Sequence, residues 1–422
     1  MTAAVAPRPR ESRAGFQLAT LLALAVFINY VDRGNLATAA PVLASELHLS
    51  ATQMGILLSS FYWTYAISQL GAGWLAERYP VQRVIAAGFA LWSLATILTG
   101  LASTFAMLLA LRLLLGLGES VAFPCSSKML AENLPIDRRG RSNALIAIGL
   151  ALGPSFGTYV GGKILAQYGW RPLFLSLGTL SLLWLVPWLA GPVRMPSIRR
   201  VEDAHHGASP SFLDVVRKRE AIGAGLGHFC ANYTFYFVLS WLPYYLVSVR
   251  GYSLERMAAI GGLTYVMNAV GSWISGHVGD RLIQRGQSPH RVYVSTLVIS
   301  HVVVAVCLMG VLIGGPRLFE ASLFVMGFAF GLATTTLYAV GQLLAGPRAA
   351  GQWMGFQNAV GNLAGIVGPA ITGFLVDHTG SFYSAFVLAI GFSLLGVLAW
   401  TIVIPRITEV TWSARAPIAA LT

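Results

Sequence analysis

The chain has 422 residues, 56% hydrophobic and only 10% charged, whereas soluble domains carry about 25% charged residues; a water-soluble globular protein is excluded. The net charge of +12 would suit a nucleic-acid binder, but its distribution argues otherwise. Of the 28 lysines and arginines, about twenty fall in the termini and alternate loops, while the intervening loops hold only Lys163, Arg171, Arg250, Arg256 and Arg317. This is the positive-inside bias: it puts both termini in the cytoplasm, requires an even number of spans, and makes the lipid bilayer, not nucleic acid, the partner.

A span needs about 20 apolar residues. Hydropathy and helix breakers predict twelve, at 16–40, 52–76, 82–102, 104–131, 142–166, 171–190, 221–248, 254–279, 291–314, 317–341, 350–376 and 381–404. The first is too long for the apolar core of a signal peptide. The fold class is therefore all-α integral membrane: a cytoplasmic tail 1–15, a six-helix half 16–190, a polar cytoplasmic linker 191–220, a second six-helix half 221–404 and a cytoplasmic tail 405–422. The halves echo each other. Gly73-Trp74-Leu75-Ala76-Glu77-Arg78 closes span two, and Gly276-His277-Val278-Gly279-Asp280-Arg281 closes span eight. Spans five and eleven carry Gly153-Pro154 and Gly368-Pro369. A six-span repeat points to a transporter that alternates access to a midplane site.

Span one holds Asn29-Tyr30-Val31-Asp32-Arg33-Gly34-Asn35. A charge at the bilayer centre costs about 2.5 kcal/mol or more, so it is seldom kept without a use. Span four holds Arg112 and Glu119, which at helical spacing share one face roughly 10 Å apart along the axis. Two arginines and two carboxylates thus line one cavity in the first half. The arginine fork suits a carboxylate, and a carboxyl in the apolar, glycine-lined stretch around Glu119 suits reversible protonation. A neutral ion-pair network that only pins helices is the competing reading, and Asp32 fits either as proton carrier or as partner of Arg112.

Span seven places His228, Asn232 and Tyr236 on one face. Span ten carries Thr334, Thr335, Thr336 and Tyr338, and span eleven Gln357, Asn358 and Asn362. These polar groups suit a hydroxylated substrate or plain interhelical hydrogen bonding. Lys128, near the cytoplasmic end of span four, is expected to snorkel. Cys125, Cys230 and Cys307 lack metal spacing. His205 and His206 in the linker have no metal-binding partners, and no nucleotide or nucleophile motif is present. Neither enzyme chemistry, metal nor cofactor is expected.

Together these segments resemble the major facilitator superfamily over nearly the whole chain. The Gly73–Arg83 segment is similar to its loop signature and recurs at 276–285, with Glu77 where Asp is usual and Pro80 where Gly is usual. Residues 29–35, Gln69–Trp74, Arg112–Pro124 with Asp137-Arg138-Arg139-Gly140, and Trp241-Leu242-Pro243 resemble the anion:cation symporter branch. That branch includes hexuronate, galactonate and glucarate permeases, aromatic-acid permeases and sialin. The resemblance implies proton coupling by Asp32 and Glu119, and substrate-carboxylate binding by Arg33 and Arg112. It implies cavity roles for Tyr30, Tyr65 and Asn358, and gating roles for Glu77, Arg78, Asp280 and Arg281. Leu150 and His228 stand where a galactonate symporter has glutamines, and Tyr338 where it has tryptophan, which leaves room for a less hydroxylated or aromatic acid. The expected function is proton-coupled symport of a small organic anion, by a monomer in the cell membrane. The rivals are a proton-coupled drug antiporter, for which two cavity arginines are ill suited, an organophosphate exchanger, and a membrane sensor that binds without transport.

Overall fold

The computed structural model describes residues 9–134, 136–190 and 210–412. Most of the linker, part of both tails, His205, His206, and the side chains of Glu77 and residues 137–141 lie outside the described residues. In chain order the helices are α1 (Pro9–Glu46), α2 (Ala51–Arg78), α3 (Val81–Thr99), α4 (Phe105–Glu119), α5 (Ala122–Asn133), α6 (Ile136–Tyr168) and α7 (Trp170–Leu183). There follow α8 (Leu185–Ala190), α9 (Phe212–Val216), α10 (Arg219–Tyr244), α11 (Leu254–Gln284), α12 (Pro289–Ile313), α13 (Pro316–Thr379) and α14 (Tyr383–Leu398). Among the described residues, ten helical segments are long and apolar enough to cross a membrane. α2 and α10 are also long enough, at 28 and 26 residues, but carry more polar side chains.

Local chemistry sets the ends. Ser50 caps α2 in a reciprocal box with Gln53, and Thr104 accepts from the Met107 amide at the start of α4, satisfying donors that a helix start leaves open. Pro154, Pro243 and Pro41 lie inside helices. Span four is one apolar segment, Phe105–Leu130, as expected, with a break in the helical ladder at Ser120 and Val121 between α4 and α5. Pro124 explains the break, because a proline removes its own N–H and crowds the carbonyl four residues earlier, here that of Ser120. Spans ten and eleven run together as α13 across Gly346 at φ 63°, a left-handed turn that favours glycine.

The chain divides into two compact units. One comprises the described residues of Met1–Arg200, Leu239–Val266 and Pro369–His378. In it α1 packs along α6, α2 against α4, and α3 against α4 and α7. At Gly116 of α4 a side-chain carbon would collide with the Phe61 carbonyl of α2, so a residue without Cβ lets these helices approach closely. The other unit comprises the described residues of Val201–Val238, Met267–Gly368 and Thr379–Thr422. Its core joins Val215, Leu344, Trp353, Trp400, Ile404 and Ile407. Val410 and Trp412 of the C-terminal segment donate to the carbonyls of Leu344 and Ala345 at 2.9 and 3.0 Å.

Candidate functional site

In the first unit, α1, α2 and α4 bring most of the charged candidates together. The Nε of Arg33 donates to Oε2 of Glu119 at 2.9 Å, and both side chains are nearly excluded from solvent. Three rings of α1 and α2 surround the guanidinium: its central carbon lies 4.7 Å from the Tyr30 centroid, 4.9 Å from Phe61 and 4.3 Å from Tyr65. Arg112 sits over the same Phe61 ring at 5.4 Å, and Phe61 and Tyr65 are stacked at 5.1 Å. Cation–π attraction of this kind is worth about 2 kcal/mol when desolvated. It holds two cations without neutralising them. Nη2 of Arg33 and Nε of Arg112 are buried, with no hydrogen-bond partner among the described residues. Oε1 of Glu119 is likewise without a hydrogen-bond partner among the described residues, although buried polar groups are normally satisfied.

Asp32 is buried on α1 and takes neutral partners: Asn35 Nδ2 donates to its Oδ1 at 3.1 Å, and its Oδ2 lies 3.3 Å from the Ser181 hydroxyl of α7. The ion pair of this cluster therefore joins Arg33 to Glu119 across helices, and Asp32 stands apart from it. Lys128 turns inward and donates to the Ala76 carbonyl near the end of α2 at 2.5 Å, where the helix C-terminus attracts a cation.

The second unit carries His228, Asn232, Tyr236, Tyr338 and Asn358. His228 is buried on α10 and meets the Tyr338 ring edge-on at 6.0 Å. The Tyr236 hydroxyl donates to Asn362 Oδ1 at 2.9 Å; Asn232 and Asn358 are half-buried. Other polar side chains of spans ten and eleven are absorbed by packing. Thr335 bonds the Ser272 carbonyl at 3.1 Å, Thr336 contacts Ser275 at 3.0 Å, and Gln357 ties Trp353 to the Leu337 carbonyl. Arg78, Asp280 and Arg281 are exposed at the ends of α2 and α11, with Arg78 over Trp74. Cys125, Cys230 and Cys307 are buried free thiols.

Sequence reasoning missed Phe61, although it lies one turn before Tyr65 on the same face and that spacing was open to view. Ser181 gave no comparable signal, because a lone hydroxyl in an apolar helix is ordinary until its neighbour is known; Asn35 stood within the conspicuous stretch of span one but was given no role.

A helical membrane protein with a repeated loop signature and buried arginines beside carboxylates has the makings of a secondary transporter of anions. Residues 22–369 match the Major Facilitator Superfamily, and the chain belongs to that superfamily. It is accordingly a multi-pass membrane transporter and not an enzyme. It is 31% identical to the hexuronate transporter of Bacillus subtilis, over 90% of this chain and 92% of that one. It is 28% identical to a probable sulfoacetate transporter of Cupriavidus necator (92% and 93% covered) and 27% identical to a probable galactarate/D-glucarate transporter of B. subtilis (97% and 96%). Among solved structures, a bacterial homologue of the human lysosomal transporter Spinster superposes with a TM-score of 0.77 at 18% identity, covering 94% of this chain and 98% of that one. The nucleoside transporter NupG superposes with a TM-score of 0.73 at 14% identity, with 92% and 100% covered. At that identity the likeness speaks for the fold alone.

Proposed function

We propose that this protein is a proton-coupled symporter of a small organic carboxylate, a sugar acid or a related acid, acting as a monomer in the cell membrane with both termini in the cytoplasm. The observation that carries the reading is the pair of buried, ring-stacked guanidiniums of Arg33 and Arg112, each with an unsatisfied N–H. The relatives support it: hexuronate, galactarate, D-glucarate and sulfoacetate are all organic anions. Glu119 engages Arg33. A proton arriving on Glu119 removes the charge that competes for Arg33 and frees that guanidinium for the substrate carboxylate, while Arg112 supplies the second grip. Coupling follows because proton and anion each favour the state the other needs. Access alternates by movement of the halves 16–190 and 221–404, and further substrate contacts are assigned to Tyr30 and Tyr65 of the first half and to His228, Asn232, Tyr236, Tyr338 and Asn358 of the second. Glu77, Arg78, Asp280 and Arg281 gate the cytoplasmic face.

The test is uptake into proteoliposomes under an inward proton gradient, with D-glucuronate, galactonate, D-glucarate, tartrate, sulfoacetate and aromatic carboxylates offered in turn. Accumulation of at least one acid that collapses with a protonophore is the expected result. No uptake of any of them, together with proton-driven exchange of organic cations, overturns the reading in favour of an antiporter.

A further inference from the structure

Ser181 of α7 has one hydroxyl proton to give and two oxygens within reach. The Leu177 carbonyl, one turn earlier on the same helix, lies at 2.8 Å, and Asp32 Oδ2 at 3.3 Å. The hydroxyl can donate to either oxygen; with one proton it serves the nearer, the Leu177 carbonyl, whose distance lies in the usual range of about 2.5–3.0 Å. Asp32 Oδ2 then faces a lone pair of the serine oxygen. With Asp32 ionised, that would set two electron-rich oxygens against each other in a site with almost no solvent; the side chain of Asp32 is 1% exposed. Its other oxygen is already served by Asn35. The charged groups that act on it are Arg112 and Glu119 of α4, while its neighbour Arg33 is engaged by Glu119. The arrangement is satisfied if the second proton of this contact sits on Asp32 itself.

We infer that Ser181 is a positioning residue that follows the proton on Asp32. With the carboxyl neutral, Asp32 Oδ2–H donates to Ser181 Oγ and the serine keeps its bond to Leu177. When the proton passes to water, the hydroxyl rotates from the Leu177 carbonyl to the carboxylate, and the charged form gains a charge-assisted donor. Only hydrogen bonds are exchanged, and a carbonyl in a helix tolerates loss of this extra donor because its backbone partner is unaffected. Both protonation states of a buried carboxyl are thereby satisfied, and neither is left without a partner. The inference rests on the reading of Asp32 as a proton carrier, and adds to it the α7 residue that makes both its states tolerable.

The test joins infrared spectroscopy of the purified protein in lipid to transport. In the wild type a protonated-carboxyl C=O band is expected that fades on alkaline titration and is missing in Asp32→Asn. Ser181→Ala is expected to move that band to higher wavenumber, as a carboxyl without an acceptor does, and Ser181→Thr to restore it. In proteoliposomes with D-glucuronate as probe, Ser181→Ala is expected to retain counterflow exchange within about twofold but to lose at least about fivefold in proton-driven accumulation. A band absent from the wild type, or one that Ser181→Ala leaves in place, overturns the inference. If Ser181→Ala fails to reach the membrane, Ser181→Cys, a much weaker acceptor of similar size, is read by the same band. The wild type keeping its band behaviour while transporting no acid in a protonophore-sensitive way would sink the symport reading and leave the serine's response to the Asp32 proton standing.

Discussion

At the scale of the residue, the site is a competition between anions for two guanidiniums. Arg33 has one nitrogen on Glu119 and another unpaired, and Arg112 is held over Phe61 with its Nε unpaired. Removing one partner of a buried, hydrogen-bonded charge pair costs about 3–5 kcal/mol. Arg33→Ala and Arg112→Ala are therefore each expected to lower the affinity for a transported acid by about two powers of ten or more, measured by substrate-induced quenching of tryptophan fluorescence or by equilibrium binding. Lysine at either position is expected to rescue little, because a point charge cannot reproduce the planar fork stacked between rings. Glu119→Gln imitates the protonated acid permanently. It is expected to abolish proton-driven accumulation while leaving exchange within a few fold of the wild type; unchanged accumulation would remove Glu119 from the coupling path. The charged members of this cluster were readable from the sequence, because buried charges in apolar helices are conspicuous. Their pairing was not. Asp32 and Arg33 are chain neighbours, yet Arg33 goes to α4 and Asp32 to α7, a choice made by the rotation of α1 against its neighbours.

At the scale of the element, the charged cluster sits on strongly apolar helices, α1 and α4, whereas the aromatic and polar candidates sit on less apolar ones. α2 and α10 fall outside the strongly apolar set, and they present Phe61 and Tyr65, and His228, Asn232 and Tyr236. α4 stops at Glu119 because Pro124 breaks the ladder above it. One contact in the first unit shows how helix ends are used mechanically. The Asp377 carboxylate, at the far end of α13, accepts from the Ala51 and Thr52 amides at 3.0 and 2.7 Å, capping the open N-terminus of α2. By the charge bias these ends face away from the cytoplasm. A carboxylate at a helix start is worth about 1 kcal/mol, up to about 2 when partly buried. Asp377→Ala is expected to loosen this outer closure, raising the maleimide labelling rate of a cysteine placed at Ala51 by about fivefold. The three native thiols are buried and contribute little background. An unchanged rate would show that packing alone keeps these ends together. No reading of the sequence singled out Asp377, since an acid near the mouth of a span is commonplace and its partner lies 326 residues away in the chain.

At the scale of the whole molecule, hydropathy and charge carry different information. Hydropathy counts the spans, and there the sequence went far: the long helices fall close to the predicted positions, although spans ten and eleven are joined by a single glycine turn. Charge assigns the sides. The five basic residues of the sparse loops, Lys163, Arg171, Arg250, Arg256 and Arg317, all lie at or near helix ends, which the charge bias assigns to the side away from the cytoplasm. Four of them are already engaged. Arg171 pairs with Glu46 and lies over Trp170, Lys163 lies over Tyr159, Arg256 lies over Tyr252, and Arg250 hydrogen-bonds Tyr245; cations held this way add little to retention on the cytoplasmic side. Orientation should then be set by the rich side alone. A fluorescent-protein fusion, which matures only in the cytoplasm, is expected to glow when attached after Thr422 or inserted at Gly207 of the linker. Alkaline phosphatase, active only outside, is expected to be active when inserted at Gly251 and inactive at the other two. An active phosphatase at the C-terminus would mean an odd number of spans or an inverted chain. Either would place the Asp377 cap and the Arg33–Glu119 pair at the wrong distances from the proton source, and the coupling scheme would have to be rebuilt from the opposite face.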